Sequence, residues 1–584
     1  MEERVTRRPL LLLLGLVLLI RLPFLNQAIQ GDDHIYITEA QHALIDPLHP
    51  SNLKYVFLGQ EVDLRGHSHP PGNAWPLAGL LLLFGDVKEI PFHAAYIVFS
   101  LVAVWSAFQL AVRFGGRPLW ATLLFIAVPA FVVNGGSLEA DLPFLAFWLL
   151  SMVSFCRVGL RPALCVLTMA GASMMAYQAV FLIPILGAYT WIFDRKNRTR
   201  WLILLTPIVT IAAWQIFTRA TTGTMPAAKL AGYLKPLLAG LLRGDAMLLI
   251  HLWFVIFPAL IIPTFLLTWR KRRDPDTLFL LLWIAIFLLC GFTLFFAGSA
   301  RYLLPIAAPI AILASRLPTK YLAPAFAIQL ALGLCMAVAN YQHWDGYRRF
   351  TERIHAQTAG HRVWVDNDWG LRYYAEADHA IAAQRGQPVR PGDVVVASEL
   401  GHNVELTAPM VPIADAVIQP SIPFRLIGLK SRSGYSTAAA GFWPFGISTG
   451  VVDRVHARLV AERHPTLEYL STNAPEARDQ IISGVYPSDR WMSQSASVAL
   501  KTPAKPKKLR AEVYVPPNAP VRQITLLLDG QEVASKAIPG AGAYTIESPG
   551  PLTGSTAEVR VDHTFRAPGD QRDLGVVLLG IGFQ

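Results

Sequence analysis

Four short stretches of this chain carry residues whose types could do chemistry. GDDHIYITEA places Asp32 and Asp33 side by side, with Glu39 shortly after, directly following the apolar run Leu10–Leu25. HSHPPGNAW holds His67 and His69, and NGGSLEADLPF holds Glu139 and Asp141. GSARYLLPIAAP sets Arg301 at the mouth of another apolar run. Carboxylates accept protons or bind cations, and a planar guanidinium suits a phosphate. Each feature also has a plainer reading. Acids at the ends of apolar helices are often simply solvated, and a lone Arg there snorkels to the headgroups. Lys229, Lys235 and Arg243 lie in AAKLAGYLKPLLAGLLR, a basic amphipathic stretch of the kind that rests on lipid phosphates. His67 and His69 with Asp32 and Asp33 would offer a nitrogen–oxygen metal set if the loop folded back. His-x-His with distant Asp is, however, a weak ligand pattern.

Such residues act together only if the chain gathers them, and composition says what kind of chain this is. Its 584 residues are 53% hydrophobic and 16% charged, against about 25% charged in soluble proteins. The deficit lies between Leu10 and about Asn340, where about eleven apolar runs of spanning character alternate with short polar loops. The first run is expected to be retained, because no small-residue cleavage site follows it. All four cysteines fall inside apolar runs, so the soluble part has no disulfide framework. The net charge of +11 flanks apolar segments and does not point to nucleic acid. Arg7 and Arg8, Arg113 and Arg117, Arg157 and Arg161, RKNRTR from Arg195, RKRR from Arg270, and Arg316 with Lys320 occupy every second loop. Those loops are expected in the cytoplasm, with the N-terminus. Asp32, Asp33, Glu139, Asp141 and Arg301 then share the opposite face with the C-terminal region. Residues 26–91 form a long first loop on that face. Within it, Ile35–Ile45 has the spacing of a helix lying along the membrane surface, and Ala74–Phe84 is apolar but too short to cross.

DDHIY resembles the Asp-Glu-x-x-Tyr motif in the first loop of the GT-C integral membrane glycosyltransferases, which include the protein O-mannosyltransferases and the aminoarabinose transferase of lipid A. HPPGNAW resembles their His-Pro-Pro-Leu element, EADLPFLAFWLL their Thr-Asp-x-Pro-Leu entry to the fourth span, and RYLLPIAAP their Arg-Tyr-Leu-Leu-Pro segment. VWVDNDWGLRYY resembles the start of the soluble domain in bacterial members. Two departures stand out: Asp33 replaces the usual Glu, and Ala176 stands where Lys often precedes the aromatic. The resemblance implies a GT-C transmembrane domain over residues 1–340. It implies an inverting transfer of a hexose or pentose from a polyprenyl-phosphate donor to a glycolipid, protein or polysaccharide acceptor, on the non-cytoplasmic face of the inner (plasma) membrane. Asp32 is the expected base, and Asp33 is expected to orient the acceptor or to stabilise positive charge on the sugar. A phosphate leaving group needs positive charge more than a general acid. Arg301, beside Tyr302, is the first choice to hold it, with Lys229 or Lys235 as further candidates. His69, Glu139 and Asp141 are expected around the substrates. No cofactor is expected, and a divalent ion is not favoured.

The alternative is a transporter or flippase of a lipid-linked glycan, which calls for mid-span charges and repeated halves. The sequence has few of the former and no evident repeat. After the helical half, residues 341–500 mix strand-like runs such as DVVVAS with helical stretches, as in an α/β domain. KTPAKPKK reads as a linker, and residues 508–584 as a small jelly-roll-like β-sandwich with an Asp-Gly hairpin in LLLDGQEVAS.

Overall fold

The computed structural model describes residues 2–157, 159–228, 246–252, 258–293, 299–401, 404, 406–436, 440–486, 488–517, 519–567, 570 and 572–584. The chain divides into two compact units. One comprises Met1–Tyr55, Asp63–Arg348 and Ile418–Asp453; the other comprises Val56–Val62, Arg349–Val417 and Arg454–Gln584.

The first unit is helical. Its core is aromatic and aliphatic, with Trp148, Trp283, Phe125, Phe155, Phe279 and Phe287 all but fully buried. Helix Glu89–Arg113 packs on Asp141–Cys156, which packs on Pro162–Met175. Proline opens several helices, at Pro118, Pro129 and Pro162, where its fixed φ suits the first turn and no amide hydrogen bond is lost. Pro129 also breaks what would be one span. Helices Pro118–Ile126 and Pro129–Gly136 meet at 62°, with Val128 forced into an extended conformation by the ring that follows.

Among the described residues, four helices are long and apolar enough to cross a membrane: Glu89–Arg113, Arg198–Thr222, Pro275–Thr293 and Thr319–Thr358. The bent pair makes up to five. Several other expected spans appear as shorter apolar helices, Asp141–Cys156, Pro162–Met175, Tyr177–Phe193 and Ala300–Ala314. The 16 residues of Asp141–Cys156 fall short of the ~20 that a straight crossing needs. One of the eleven apolar runs, Met247–Trp269, lies partly outside the described residues. The stretch Ala74–Phe84 is an 11-residue helix, closed by Gly85 in the left-handed conformation. The expected surface helix is present as Asp33–Ala43, but it does not lie exposed. Eight of its eleven residues are buried, because it packs against Ala74–Phe84.

The second unit is rich in strands. The expected α/β domain does not begin at Tyr341: a 40-residue helix, Thr319–Thr358, continues the last span without a break. A five-stranded sheet follows, in the order Ile381–Ala382, Val363–Asp366, Val394–Ser398, Asp453–Val460, Met410–Ile418. Pairing is parallel among the first three strands and antiparallel onto Asp453–Val460. The sandwich also starts earlier than residue 508. Strands Tyr469–Ser471, Ile481–Val485 and Met492–Ala499 join its four- and five-stranded sheets. Their inward residues, Leu470, Ile481, Met492, Ala496 and Val498, complete one core with Leu526, Val559 and Ile581. The hairpin turn at Asp529–Gly530 has both residues at positive φ, as a two-residue primed turn requires.

Candidate active site

The site is built where three loops of the helical unit meet. Helix Glu2–Arg21 ends in a short 3-10 turn, and the chain then reaches Gln30–Asp33, where helix Asp33–Ala43 begins. The bent helix pair runs into Asn134–Gly136, and Ser137–Ala140 leads to helix Asp141–Cys156. Ser299 caps the 3-10 turn Ala300–Ile306 and so sets Arg301 in place.

Arg301 is the hub, only 6% exposed. One terminal nitrogen donates to Glu139 Oε2, the other lies 3.4 Å from Asp32 Oδ2, and Nε lies 3.4 Å from Asp141 Oδ2. The last contact is an ion pair without hydrogen-bond alignment. The Asp32 amide donates to Glu139 Oε1 at 3.2 Å, so Glu139 ties the first loop to the arginine. The guanidinium face also lies 5.4 Å from the centre of the Tyr302 ring. Sequence considerations assign Arg301 to a substrate phosphate; in the structure all three of its nitrogens face carboxylates of the chain itself.

The two adjacent aspartates differ. The Asp32 side chain is 36% exposed and opens toward solvent. Asp33 is fully buried and accepts hydrogen bonds from the Gln30 amide at 3.1 Å, the Leu138 amide at 2.8 Å and Ser137 Oγ at 3.0 Å. Burial pushes its carboxyl up to about 7, against the pull of those donors. Its geometry is that of a staple between loops. The sequence expectation that Asp33 meets substrate has no exposed atom to act through.

Gly31 makes the corner that presents Asp32. Its φ is +45°, and a Cβ there would lie 2.8 Å from Glu139 Oε1, an atom already held by the Asp32 amide. Gly31→Ala is therefore expected to lower stability by more than ~1 kcal/mol and to cut activity. An unfolding midpoint equal to wild type's would contradict this reading of the corner.

A ring of aromatics lies beside these acids. His69 stacks on Tyr302 at 6.3 Å between ring centres, and Tyr36 meets His67 and His69 edge-on at 5.2 and 6.0 Å. Burial holds both histidines neutral, with His67 pushed down to about 3. His69 Nδ1 lies 3.1 Å from the Met175 carbonyl, so that nitrogen carries the proton and Nε2 is left as the acceptor. Behind them, fully buried Glu39 accepts from Ser51 Oγ at 2.7 Å and lies 3.8 Å from His67 Nδ1. Burial pushes Glu39 up to about 8. A carboxyl raised above its unfolded value makes the fold take up a proton, so its stabilisation is full below about pH 4.5 and is lost as pH rises toward 8. Glu39→Gln, which has no charge to bury, is expected to flatten the decline of the apparent unfolding temperature between pH 5 and 8. An unchanged slope counts against a buried neutral Glu39.

Of the residues expected from sequence, Asp32, Asp33, Glu139, Asp141, Arg301, Tyr302 and His69 are brought together. Lys229 and Lys235 lie outside the described residues. Among the described residues, no group of three or more His, Cys, Asp or Glu has the geometry to hold a metal ion. Sequence reasoning missed Gln30, Ser137, Asn134 and Tyr435. It missed Arg21 as well, whose buried guanidinium donates to the Phe131 and Val132 carbonyls at 2.7 and 2.8 Å. A Cβ on Gly135 would overlap that guanidinium, so Arg21 and Gly135 are fitted to each other. An Arg near the end of the apolar run Leu10–Leu25 was the only visible signal, and it reads equally well as a topology mark.

Residues 68–217 match the family model of the dolichyl-phosphate-mannose-protein mannosyltransferases. The matched region contains His69, Glu139 and Asp141 and ends before Arg301. No curated protein sequence matches the chain. Among solved structures, ArnT from Cupriavidus metallidurans bound to undecaprenyl phosphate is similar at 14% identity and a TM-score of 0.46, over 69% of this chain and 96% of that one. The arabinofuranosyltransferase AftD from Mycobacteria is similar at 13% identity and a TM-score of 0.41, over 99% of this chain and 58% of that one. The Archaeoglobus fulgidus oligosaccharyltransferase in its apo form is similar at 11% identity and a TM-score of 0.43, over 97% of this chain and 96% of that one.

Proposed function

We propose that this chain is an inverting membrane glycosyltransferase that moves a sugar from a polyprenyl-phosphate donor to an acceptor on the non-cytoplasmic face. The observation that carries the proposal is a part-exposed carboxylate, Asp32, held beside a buried guanidinium by a shared partner, Glu139. The matching family model, described as using dolichyl-phosphate mannose and a protein acceptor, supports the same class of donor. The alternation of basic loops supports the choice of face.

In this reading Asp32 takes the proton from the acceptor's hydroxyl or amine as that atom bonds to the anomeric carbon. The bond from that carbon to the phosphate oxygen breaks on the opposite face, and the electron pair leaves with polyprenyl phosphate. The leaving group is a stable anion, so no acid is needed. Arg301 aims Asp32 and supplies positive charge beside the reacting atoms, and Lys229 or Lys235 is the cation proposed for the phosphate itself. His69 offers Nε2 to a substrate hydroxyl. No metal is required, because the positive charge comes from side chains. The acids sit at helix ends and turns, not along the interior of a span, which favours surface chemistry over a transport path.

The test is purified protein in nanodiscs, with EDTA present, given a panel of polyprenyl-phosphate hexoses and pentoses and an extract of acceptors. Release of polyprenyl phosphate that requires both an acceptor and Asp32 is the expected result. No release from any donor overturns the proposal.

A further inference from the structure

Beside the acid cluster lies an open pocket. Glu139 and Arg301 reach it from one side. The remaining polar wall is uncharged: Gln30, Asn134, Ser137, Asn340, Trp344, Tyr435 and Ser436. These residues come from four separate parts of the chain. Tyr435 and Ser436 lie in Ile418–Asp453, which leaves the strand-rich region to pack within the helical unit.

The wall is pre-set by its own hydrogen bonds. Asn340 Nδ2 donates to Gln30 Oε1 at 2.6 Å, Gln30 Nε2 donates to the Gly136 carbonyl at 2.7 Å, and Trp344 Nε1 donates to Asn340 Oδ1 at 2.9 Å. The Tyr435 hydroxyl donates to Asn134 Oδ1. Asn134 is 4% exposed, yet its Nδ2 has no partner among the described residues. A buried amide left without an acceptor destabilises the fold, and a ligand hydroxyl would satisfy it.

Charge decides which ligand. Three carboxylates, Asp32, Glu139 and Asp141, surround one guanidinium, so among the described residues the rim has no cation to spare for an acidic group on the sugar. Carboxamides, a hydroxyl and an indole are the groups that hydrogen-bond and cover a neutral polyhydroxylated ring. We infer that this cavity binds the transferred sugar as an uncharged ring and rejects a sugar that bears a carboxylate, with Asn134 and Tyr435 as specificity-determining residues. The inference rests on the glycosyltransferase reading above and deepens it.

The experiment compares a polyprenyl-phosphate hexose with the matching hexuronate, which differs at C6 alone, by release of polyprenyl phosphate from the full-length protein. Wild type is expected to favour the hexose at least tenfold in kcat/KM. Ser436→Lys, which adds a cation to a half-buried wall position, is expected to narrow that ratio at least threefold. Asn134→Asp, which replaces the unsatisfied donor with a carboxylate, is expected to widen it and serves if the lysine variant does not fold. Equal use of hexose and hexuronate, or a ratio that neither variant moves, overturns the cavity assignment and leaves the transferase reading standing. Silence with every donor overturns both.

Discussion

Asp32→Asn is expected to lower kcat by about 10²–10⁴-fold, the usual contribution of a positioned general base, with little change in KM. The substitution is nearly isosteric and the side chain is 36% exposed, so the fold is expected to survive. Neither neighbouring acid can take over. Asp33 is fully buried and turned toward Gln30, Ser137 and Leu138. Glu139 is 4% exposed and occupied by Arg301 and the Asp32 amide. Asp32→Glu keeps the base but moves it by a methylene, and partial activity is expected. The measurement is steady-state release of polyprenyl phosphate, with an unfolding midpoint as the control for folding. An Asn variant that folds and transfers at the wild-type rate would remove Asp32 from the chemistry.

Arg301→Met is expected to cause the largest loss of stability of any single change at the site, about 3–5 kcal/mol, as when one partner of a buried ion pair is removed. Three carboxylates then face each other without a cation, two of them buried. Their mutual repulsion also releases Asp32 from its aim, so activity falls with stability. Adding Glu139→Gln to Arg301→Met removes one of the stranded charges and is expected to recover part of the stability but not the activity. Arg301→Lys keeps the charge but cannot reach three carboxylates with one fork, and is expected to be intermediate. The check is the apparent unfolding temperature of each variant. An Arg301→Met protein as stable as wild type would show that the cluster does not need its cation.

The motifs that define the site were legible because each is local. DDHIY, HPPGNAW, EADLPF and RYLLP sit at the ends of apolar runs, and the alternation of basic loops is enough to expect all four on one face. The hairpin at Asp529–Gly530 was legible for the same reason, since its dipeptide dictates its turn. Span boundaries were less legible. Hydropathy does not distinguish a straight crossing from the bent pair at Pro129 or from the 16-residue helix Asp141–Cys156. Nor does it say where a helix ends when its apolar half runs on into a polar one, as Thr319–Thr358 does past Tyr341.

By itself the sequence determined the types of group at the site, their place at the ends of apolar runs and the division into a helical and a strand-rich part. Only the tertiary structure decided which group does what. It separated the exposed Asp32 from the buried Asp33, gave Arg301 three acidic partners, and brought Tyr435 to Asn134 across about three hundred residues of chain. The physical reason is that exposure and charge pairing depend on what packs around a side chain. Those neighbours come from loops distant in sequence, whose spacing along the chain carries no record of their meeting.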